Sequence, residues 1–412
     1  MVHITLLGLV LWLYLAAATS LDSDIFSDTS DYPLANPGNV AAHDPNILEH
    51  NNYFYLFKGG IRVPVFRSAK LDGPWEKLGT VLEDQSVVQK QNRKRPWAPM
   101  VAFWKDRFYC FYSISQAGKR DSTIGLASSD SIEPGNWTDH GALINTGTQE
   151  RSEVYPFNVT NAIDPALFVD PDSGRPFLQY GSYWEGIFQV PLTDGLRVEN
   201  SSSPDADHLV YLPDEKRKPN EGSYMSYRSP YYYAWFSHGQ CCQFEQQGFP
   251  TKGNEYSIRV GRATNVHGPF MDRDNTSLLN GGGSVIYGSN HKKVYAPGGL
   301  GILPGTGDRP DVLYYHYHNP SIGFKQGDAQ LGWNYLDYVD GWPVPRAPES
   351  HGTNIKPASH LKLFAMLCMC CLVATLIVIG RKTTIPLVFL LALAFLWIQT
   401  QHLYSSFERW RF

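Results

Sequence analysis

The sequence predicts an all-β fold, a β-propeller with five blades. Five short aromatic segments recur along the chain, and each follows a turn rich in Asp, Asn, Lys, Gly or Pro. The turn signals are dense and helical periodicity is absent, which indicates strands. A repeat of about 50–80 residues with about four strands per unit is typical of propellers. The aromatic segments lie at 53–57, 108–113, 177–182, 231–237 and 312–318.

Each unit opens with a short motif, which a propeller would direct toward its central channel. The openers are His43-Asp44-Pro45, Trp97-Ala98-Pro99, Ile163-Asp164-Pro165, Asn220-Glu221-Gly222 and Ala296-Pro297-Gly298. Asp before Pro is also a common turn dipeptide, which would explain one such pair without any function. Two pairs together with Glu221 at a matching position favour a shared role. We therefore predict that Asp44, Asp164 and Glu221 occupy the same place in three units and converge.

Three converging carboxylates suit the hydrolysis of glycosidic bonds. That reaction needs one carboxyl as an acid and a second as a base or nucleophile. A third acidic group nearby raises the pKa of the acid by like-charge repulsion. Binding of a hard cation such as calcium is the competing use. The aromatic side chains of Trp97, Tyr183 and Trp184 near the openers favour a carbohydrate cleft, because ring faces stack on sugar C–H groups.

The charge balance argues against nucleic acid as a partner. The chain has 412 residues, 35 Lys and Arg against 39 Asp and Glu, and a formal net charge of −4. No basic stretch occurs in the globular part, whereas nucleic-acid binding relies on such patches.

The two ends of the chain differ from its centre. Residues 1–20 are apolar and end in small residues, which predicts a secretory signal peptide. We assign 21–345 to the propeller and 346–360 to a linker rich in Pro and Ser. The apolar run 361–380 is long enough for a transmembrane helix, and 385–400 is a second apolar segment. The expected location is the secretory pathway, with the catalytic domain extracellular or membrane-anchored and facing outward.

Sequons and cysteines fit a chain that enters an oxidising compartment. Four acceptor sites for N-glycosylation begin at Asn136, Asn158, Asn200 and Asn275. Cys110 lies within an aromatic segment and is expected to be a buried free thiol. Cys241 and Cys242 are adjacent, and spacing alone leaves open whether they form a disulfide or remain two thiols.

The motifs together resemble glycoside hydrolase family 43, and within it the fungal enzymes that cleave α-1,5-linked arabinan. The resemblance covers roughly residues 33–345. Any one motif is weak, but the set is specific. The stretches that carry it include residues 43–47, 97–99, 161–165, 180–187, 221–224, 257–262 and 332–336.

The resemblance implies a five-bladed propeller and an inverting mechanism. Asp44 matches the general base, Glu221 the general acid, and Asp164 the residue that tunes the acid and positions substrate. It also implies that Cys241 and Cys242 form a disulfide. The residues expected to contact substrate are Trp97, Asn161, Ser182, Tyr183, Trp184, Cys241 and Cys242.

The metal question stays open at this point. His316 matches a histidine that in relatives helps to hold a metal or water near the channel floor, and a calcium or sodium ion near the axis is one expectation. A hydrogen-bonded core histidine is the alternative. The chain has Ala296-Pro297-Gly298-Gly299 where many bacterial members have His in the last position. No cofactor is expected to be required.

The expected activity is endo-hydrolysis of α-1,5-L-arabinofuranosidic bonds, with arabinan as the polysaccharide partner and the membrane as a second partner through the C-terminal segment. A β-xylosidase or α-L-arabinofuranosidase of the same family would show the same acids. A non-catalytic carbohydrate-binding propeller is the third alternative.

Overall fold

Five antiparallel sheets of four strands make up the computed structural model, which describes residues 40–290 and 293–346. Blade one contains β1 (Asn46–His50), β2 (Tyr53–Phe57), β3 (Pro64–Ser68) and β4 (Glu76–Thr80). Blade two contains β5 (Trp97–Trp104), β6 (Arg107–Ile114), β7 (Thr123–Ser129) and β8 (Thr138–Asn145). Blade three contains β9 (Ala166–Val169), β10 (Pro176–Tyr180), β11 (Ile187–Pro191) and β12 (Asp207–Val210).

The remaining two blades have the same order. Blade four contains β13 (Asn220–Arg228), β14 (Tyr231–His238), β15 (Ser257–Ala263) and β16 (Ser284–Tyr287). Blade five contains β17 (Tyr295–Leu303), β18 (Val312–His318), β19 (Gln330–Val339) and β20 (Trp342–Pro345). A short helix, α1 (Phe244–Gln247), lies between β14 and β15. Single 3-10 turns occupy Leu278–Asn280 and Gln326–Asp328.

The five aromatic segments are the second strands of the five blades, as the repeat predicts. Each of these strands pairs on both sides and is buried along most of its length, which is why aromatic and branched residues fill it. The first strands contact one another in a closed circle, β1 with β5, β5 with β9, β9 with β13, β13 with β17 and β17 with β1. The predicted five-bladed propeller is confirmed.

The hydrophobic core is divided into layers between neighbouring blades. Blades one and two enclose a cluster that includes Phe57, Cys110 and Tyr112, all fully buried. Equivalent clusters lie between each further pair, and the one between blades five and one includes Leu56 and Tyr314. Burying a large apolar side chain contributes about 1.5–3 kcal/mol, so each layer fastens one blade to the next. Cys110 is a buried free thiol, as expected.

The chain closes the ring by pairing its first described residues with the last blade. The Ala42 N–H donates to the carbonyl of Ala329, and the Leu331 N–H donates to the carbonyl of Val40. The start of β19, the third strand of blade five, is thereby hydrogen-bonded to the segment that leads into blade one. This contact places His43 and Asp44 at the mouth of the channel.

Every opener contains one residue in the left-handed backbone region. These are Asp44 (φ 48°), Ala98 (φ 39°), Asp164 (φ 55°), Gly222 (φ 61°) and Ala296 (φ 52°). In blades two, four and five, the residue just before the left-handed one pairs with the second strand and is followed by a shift in strand register. These residues are Trp97, Glu221 and Tyr295.

The prediction that the three acids share one repeat position is therefore wrong by one residue for Glu221. Asp44 and Asp164 occupy the left-handed position, whereas Glu221 stands one residue earlier. Glycine adopts positive φ without a Cβ penalty, so Gly222 takes the strained position in blade four. The bulge re-aims the chain locally, and side chains from both positions reach the centre.

Several predictions concern residues outside those described. The signal peptide at 1–20, the segment 361–380, the second apolar segment 385–400 and nearly all of the linker 346–360 lie there. Within residues 40–290 and 293–346, no helix combines the length and apolarity that a membrane crossing requires.

Candidate active site

A cleft opens at the end of the propeller where the first strands begin. Its empty volume is about 1510 Å³, and all three predicted acids line it. A smaller space of about 370 Å³ continues below it along the central channel and is lined by residues of four openers and, from blade five, by Gly299 and Leu300. The acids therefore meet where the cleft joins the channel, as the convergence prediction requires.

Asp44 is held as a carboxylate. Its Oδ2 lies 2.9 Å from Nδ1 of His43. Burial alone would raise the pKa of Asp44, but the charge of His43 and hydrogen bonding bring this pKa well below its ordinary value. For His43, burial works toward a lower pKa, but the charge of Asp44, the hydrogen bond to Asp44 and the charge of Glu221 together outweigh it and raise the pKa. The two residues thus form an ion pair, while 22 % of the Asp44 side chain stays exposed to the cleft.

His316 supports Asp44 through the backbone rather than through its charge. Its Nδ1 accepts the N–H of Asp44 at 3.2 Å, and the ring stacks on His43 with centroids 4.2 Å apart. Burial lowers the pKa of His316 to about 4. The ring is therefore neutral near pH 7, and Nδ1, already an acceptor, does not donate to the Asp44 carboxylate. We attribute the low pKa of Asp44 to His43.

Glu221 has the opposite electrostatics. Burial raises its pKa, the hydrogen bond from Ser182 opposes the rise, and the charge of Asp44 adds to it. Ser182 Oγ donates to Oε2 at 2.7 Å, and the Tyr256 hydroxyl donates to Oε1 at 3.2 Å. The net shift is upward. One carboxyl of the cleft is thus kept ionised and the other is favoured in its protonated form, which is the division that acid–base chemistry needs.

Asp164 is tied to the residue that follows Glu221. Its Oδ2 accepts the N–H of Gly222 at 2.9 Å, and its own N–H donates to Ser113 Oγ at 3.1 Å. Burial raises the pKa of Asp164, the charges of Glu221 and Asp44 add to the rise, and the Gly222 N–H counteracts it. The protonation of one of these carboxyls consequently changes the pKa of its neighbours.

All seven residues predicted to contact substrate line the cleft. They are Trp97, Asn161, Ser182, Tyr183, Trp184, Cys241 and Cys242. Tyr183 and Trp184 stand in the left-handed region, which turns the chain sharply after β10 and places both rings at the cleft. Asn161 is held by a hydrogen bond from Ser122 at 2.7 Å. Cys241 and Cys242 are joined by a disulfide, as the resemblance implied.

The donor set around His316 does not fit a calcium or sodium cage. His43, Asp44 and His316 offer atoms within 4.8 Å of one another. Two of the three donors are imidazoles, whereas calcium prefers six to eight oxygen ligands. The single carboxylate is already paired with His43. The buried Nε2 atoms of His43 and His316 have no hydrogen-bond partner among the described residues. We derive no chemical step through an ion here.

Several cleft residues escaped the sequence reasoning. His43 and Tyr256 contact the acids directly, and the amides Gln116, Gln240, Gln243, Gln247 and Gln326 line the cleft. His43 directly precedes Asp44 in its opener, and this adjacency was an available signal. The glutamines carry none, because their position depends on loops whose course the repeat does not define.

Comparison with known proteins identifies the family to which these residues correspond. The model of the glycosyl hydrolases family 43 matches residues 35–343. The probable arabinan endo-1,5-alpha-L-arabinosidase D of Emericella nidulans is 68% identical over 377 residues, covering 90% of this chain and 98% of that protein. The arabinan endo-1,5-alpha-L-arabinosidase B of the same organism is 42% identical over 346 residues, covering 76% and 86%.

A solved structure shows the same architecture. The alpha-L-arabinanase of Cellvibrio cellulosa, solved in complex with arabinohexaose, superposes with a TM-score of 0.64 at 25% sequence identity. The match covers 75% of this chain and 96% of that chain.

Proposed function

The chain belongs to the glycosyl hydrolases family 43, and on that premise we propose that it hydrolyses α-1,5-L-arabinofuranosidic bonds within arabinan. The observation that carries the proposal is the opposite electrostatics of two carboxyls in one cleft, Asp44 ionised and Glu221 with a raised pKa. The relatives named as arabinan endo-1,5-alpha-L-arabinosidases support the choice of polysaccharide.

Hydrolysis proceeds with inversion in a single displacement. Asp44 takes a proton from a water molecule, whose oxygen forms the new bond to the anomeric carbon. The bond between that carbon and the glycosidic oxygen breaks, and Glu221 delivers a proton to the leaving oxygen. His43 keeps Asp44 ionised for the first transfer. Water is the only co-reactant, so the reaction needs no cofactor.

Asp164 positions the acid and the substrate. Its hydrogen bond to the Gly222 N–H restrains the backbone beside Glu221. Any negative charge that it carries also disfavours ionisation of Glu221. The tuning role assigned to Asp164 remains part of the proposal.

The walls of the cleft bind the sugar chain. Trp97, Tyr183 and Trp184 offer ring faces for the C–H sides of furanose units. Asn161 and Ser182 offer polar atoms for hydroxyls, and the Cys241–Cys242 disulfide presents a rigid, uncharged surface in the same lining.

We further propose that the chain enters the secretory pathway and acts outside the cell, either released or tethered. All four sequon asparagines, Asn136, Asn158, Asn200 and Asn275, are exposed on the propeller, as attachment of glycans requires. The apolar run 361–380 is the candidate tether. Fractionation of cells that express the full chain tests this, because activity found wholly in the medium argues against a tether.

Product analysis tests the proposed activity. We expect debranched linear arabinan to yield long oligomers first and short ones later, as internal cleavage does. Release of only arabinose or one fixed short product would indicate exo action. Preference for xylo-oligosaccharides would indicate the β-xylosidase alternative, and binding of arabinan without turnover would indicate a carbohydrate-binding propeller.

A further inference from the structure

A cluster of four aromatic side chains lies beside the cleft, in the β14–β15 and β18–β19 loops and at the start of β17. We call Phe244, Phe249, Tyr295 and Phe324 the aromatic platform. Phe249 is 57% exposed, whereas Phe244 behind it is 1% exposed. The two rings are parallel within 5° with centroids 5.5 Å apart. Phe249 therefore packs on the buried Phe244 ring and leaves more than half of its own surface open to solvent.

The platform is held rigidly. The Phe324 ring meets Phe249 nearly at a right angle with centroids 4.8 Å apart, and Tyr295 meets it similarly at 5.8 Å. Edge-to-face contacts of this kind fix ring orientation. Phe249 consequently presents its exposed ring surface with a smaller entropy loss on binding than a mobile side chain would incur.

The platform continues the wall of the cleft. Gln247 and Gln326 line the cleft, and Phe249 and Phe324 each lie two residues away from one of them. The side-chain amide of Gln240 donates to the carbonyls of Cys242 and Gly248, at 3.1 and 3.0 Å. One side chain thus ties the disulfide end of the β14–β15 loop to the part of the same loop that carries Phe249.

The part of the cleft lining that residues 240–247 and 326 contribute carries no charge. It consists of Gln240, Cys241, Cys242, Gln243, Gln247 and Gln326. Amide groups exchange hydrogen bonds with hydroxyls, and an aromatic face packs against sugar C–H groups. An uncharged polymer rich in hydroxyls matches this combination, and the basic residues of the cleft lining, Lys119, Lys216 and Arg217, come from other loops.

We infer that the aromatic platform is a distal subsite, which binds arabinofuranose units of the same linear chain that is being cleaved in the cleft. This inference rests on the proposed function. Its consequence is a preference for long chains, since only a chain that extends from the catalytic acids past the disulfide reaches Phe249.

Phe249→Ala tests the inference, with Phe103→Ala as the matched control. Phe103 is 50% exposed and lies in the β5–β6 hairpin, at the end of the strand away from Trp97 and the cleft. We expect Phe249→Ala to raise KM for polymeric linear arabinan about fivefold, the loss of one ring contact. The KM for arabinotriose should rise less, and Phe103→Ala should change neither.

Each other outcome contradicts the inference in a recognisable way. Equal losses on the polymer and on arabinotriose would show that Phe249 only supports the loop. An unchanged KM for the polymer would remove the subsite, and a simultaneous loss of self-association in light scattering would identify the platform as a contact between two copies. An unaltered chain that cleaves neither substrate would refute the proposed function itself.

Discussion

Gly299 lies directly against the catalytic carboxylate. A β-carbon built on Gly299 would stand 2.6 Å from Oδ1 of Asp44 and 2.6 Å from Nδ1 of His316. Real β-carbons do not approach other atoms so closely. Position 299, directly after the blade-five opener, therefore has no space for any side chain. The chain has glycine here where many bacterial members of the family have histidine. The Asp44 carboxyl and the His316 ring occupy the space that a side chain at position 299 would need.

Gly299→Ala is expected to displace Asp44 and to lower kcat on linear arabinan by about tenfold or more, because a misplaced base costs roughly this much. Gly307→Ala is the control. Gly307 has φ +58° against +57° for Gly299, but nothing lies within 4 Å of its added β-carbon. The control reproduces the backbone strain without the contact. Equal kcat values for the two variants would show that Gly299 does not shape the site.

Asp44→Asn and Glu221→Gln should each lower turnover by about 10²–10⁴-fold, the usual contribution of a positioned acid or base. Both changes keep the shape of the side chain, and the thermal unfolding midpoint measured beside the rates reports whether the fold survives. Near-normal turnover in a folded variant would remove that residue from its assigned role.

Ser182→Ala should move the alkaline limb of the pH profile. The Ser182 hydroxyl bonds to the Glu221 carboxylate and lowers its pKa. Without that bond the pKa rises, and the protonated acid persists to higher pH. The alkaline midpoint of kcat/KM is therefore expected to shift upward. Ser128→Ala, a buried serine on β7 that bonds to His140, serves as control. A downward shift in Ser182→Ala would contradict the assignment of Glu221.

His43→Phe should move the acidic limb. The phenyl ring retains the stacking surface for His316 but removes the positive charge that lowers the pKa of Asp44. The pKa of Asp44 then rises, and the base becomes protonated at a higher pH than before. The acidic midpoint of kcat/KM is expected to shift upward, with His50→Phe in the β1–β2 hairpin as control. An unmoved limb would show that His43 does not set the charge of Asp44.

The repeat made the fold predictable from sequence, because each blade reproduces the same succession of opener, turn and aromatic strand. The second strands agree with the predicted segments within two residues, since burial on both faces selects aromatic and branched side chains. Asp44 and Asp164 were found for a related reason. Their Asp-Pro pairs mark the left-handed turn that opens a blade.

The remainder of the site depends on features that the repeat does not contain. Glu221 occupies the position before the left-handed residue, and only the paired strands reveal the offset from Asp44. Tyr256 hydrogen-bonds to Glu221 from the segment before β15, which is far in sequence from any opener. The glutamine lining and most of the aromatic platform lie in loops that join strands within a blade, where length and course vary without affecting the sheets.

The anomeric configuration of the first product tests the central claim most directly, namely that Asp44 activates water while Glu221 protonates the leaving oxygen in one displacement. Proton NMR of linear α-1,5-arabinan during the first moments of hydrolysis should show β-arabinofuranose reducing ends before mutarotation mixes the anomers. Reducing ends that appear first in the α configuration would mean retention through a covalent intermediate, and would contradict the account.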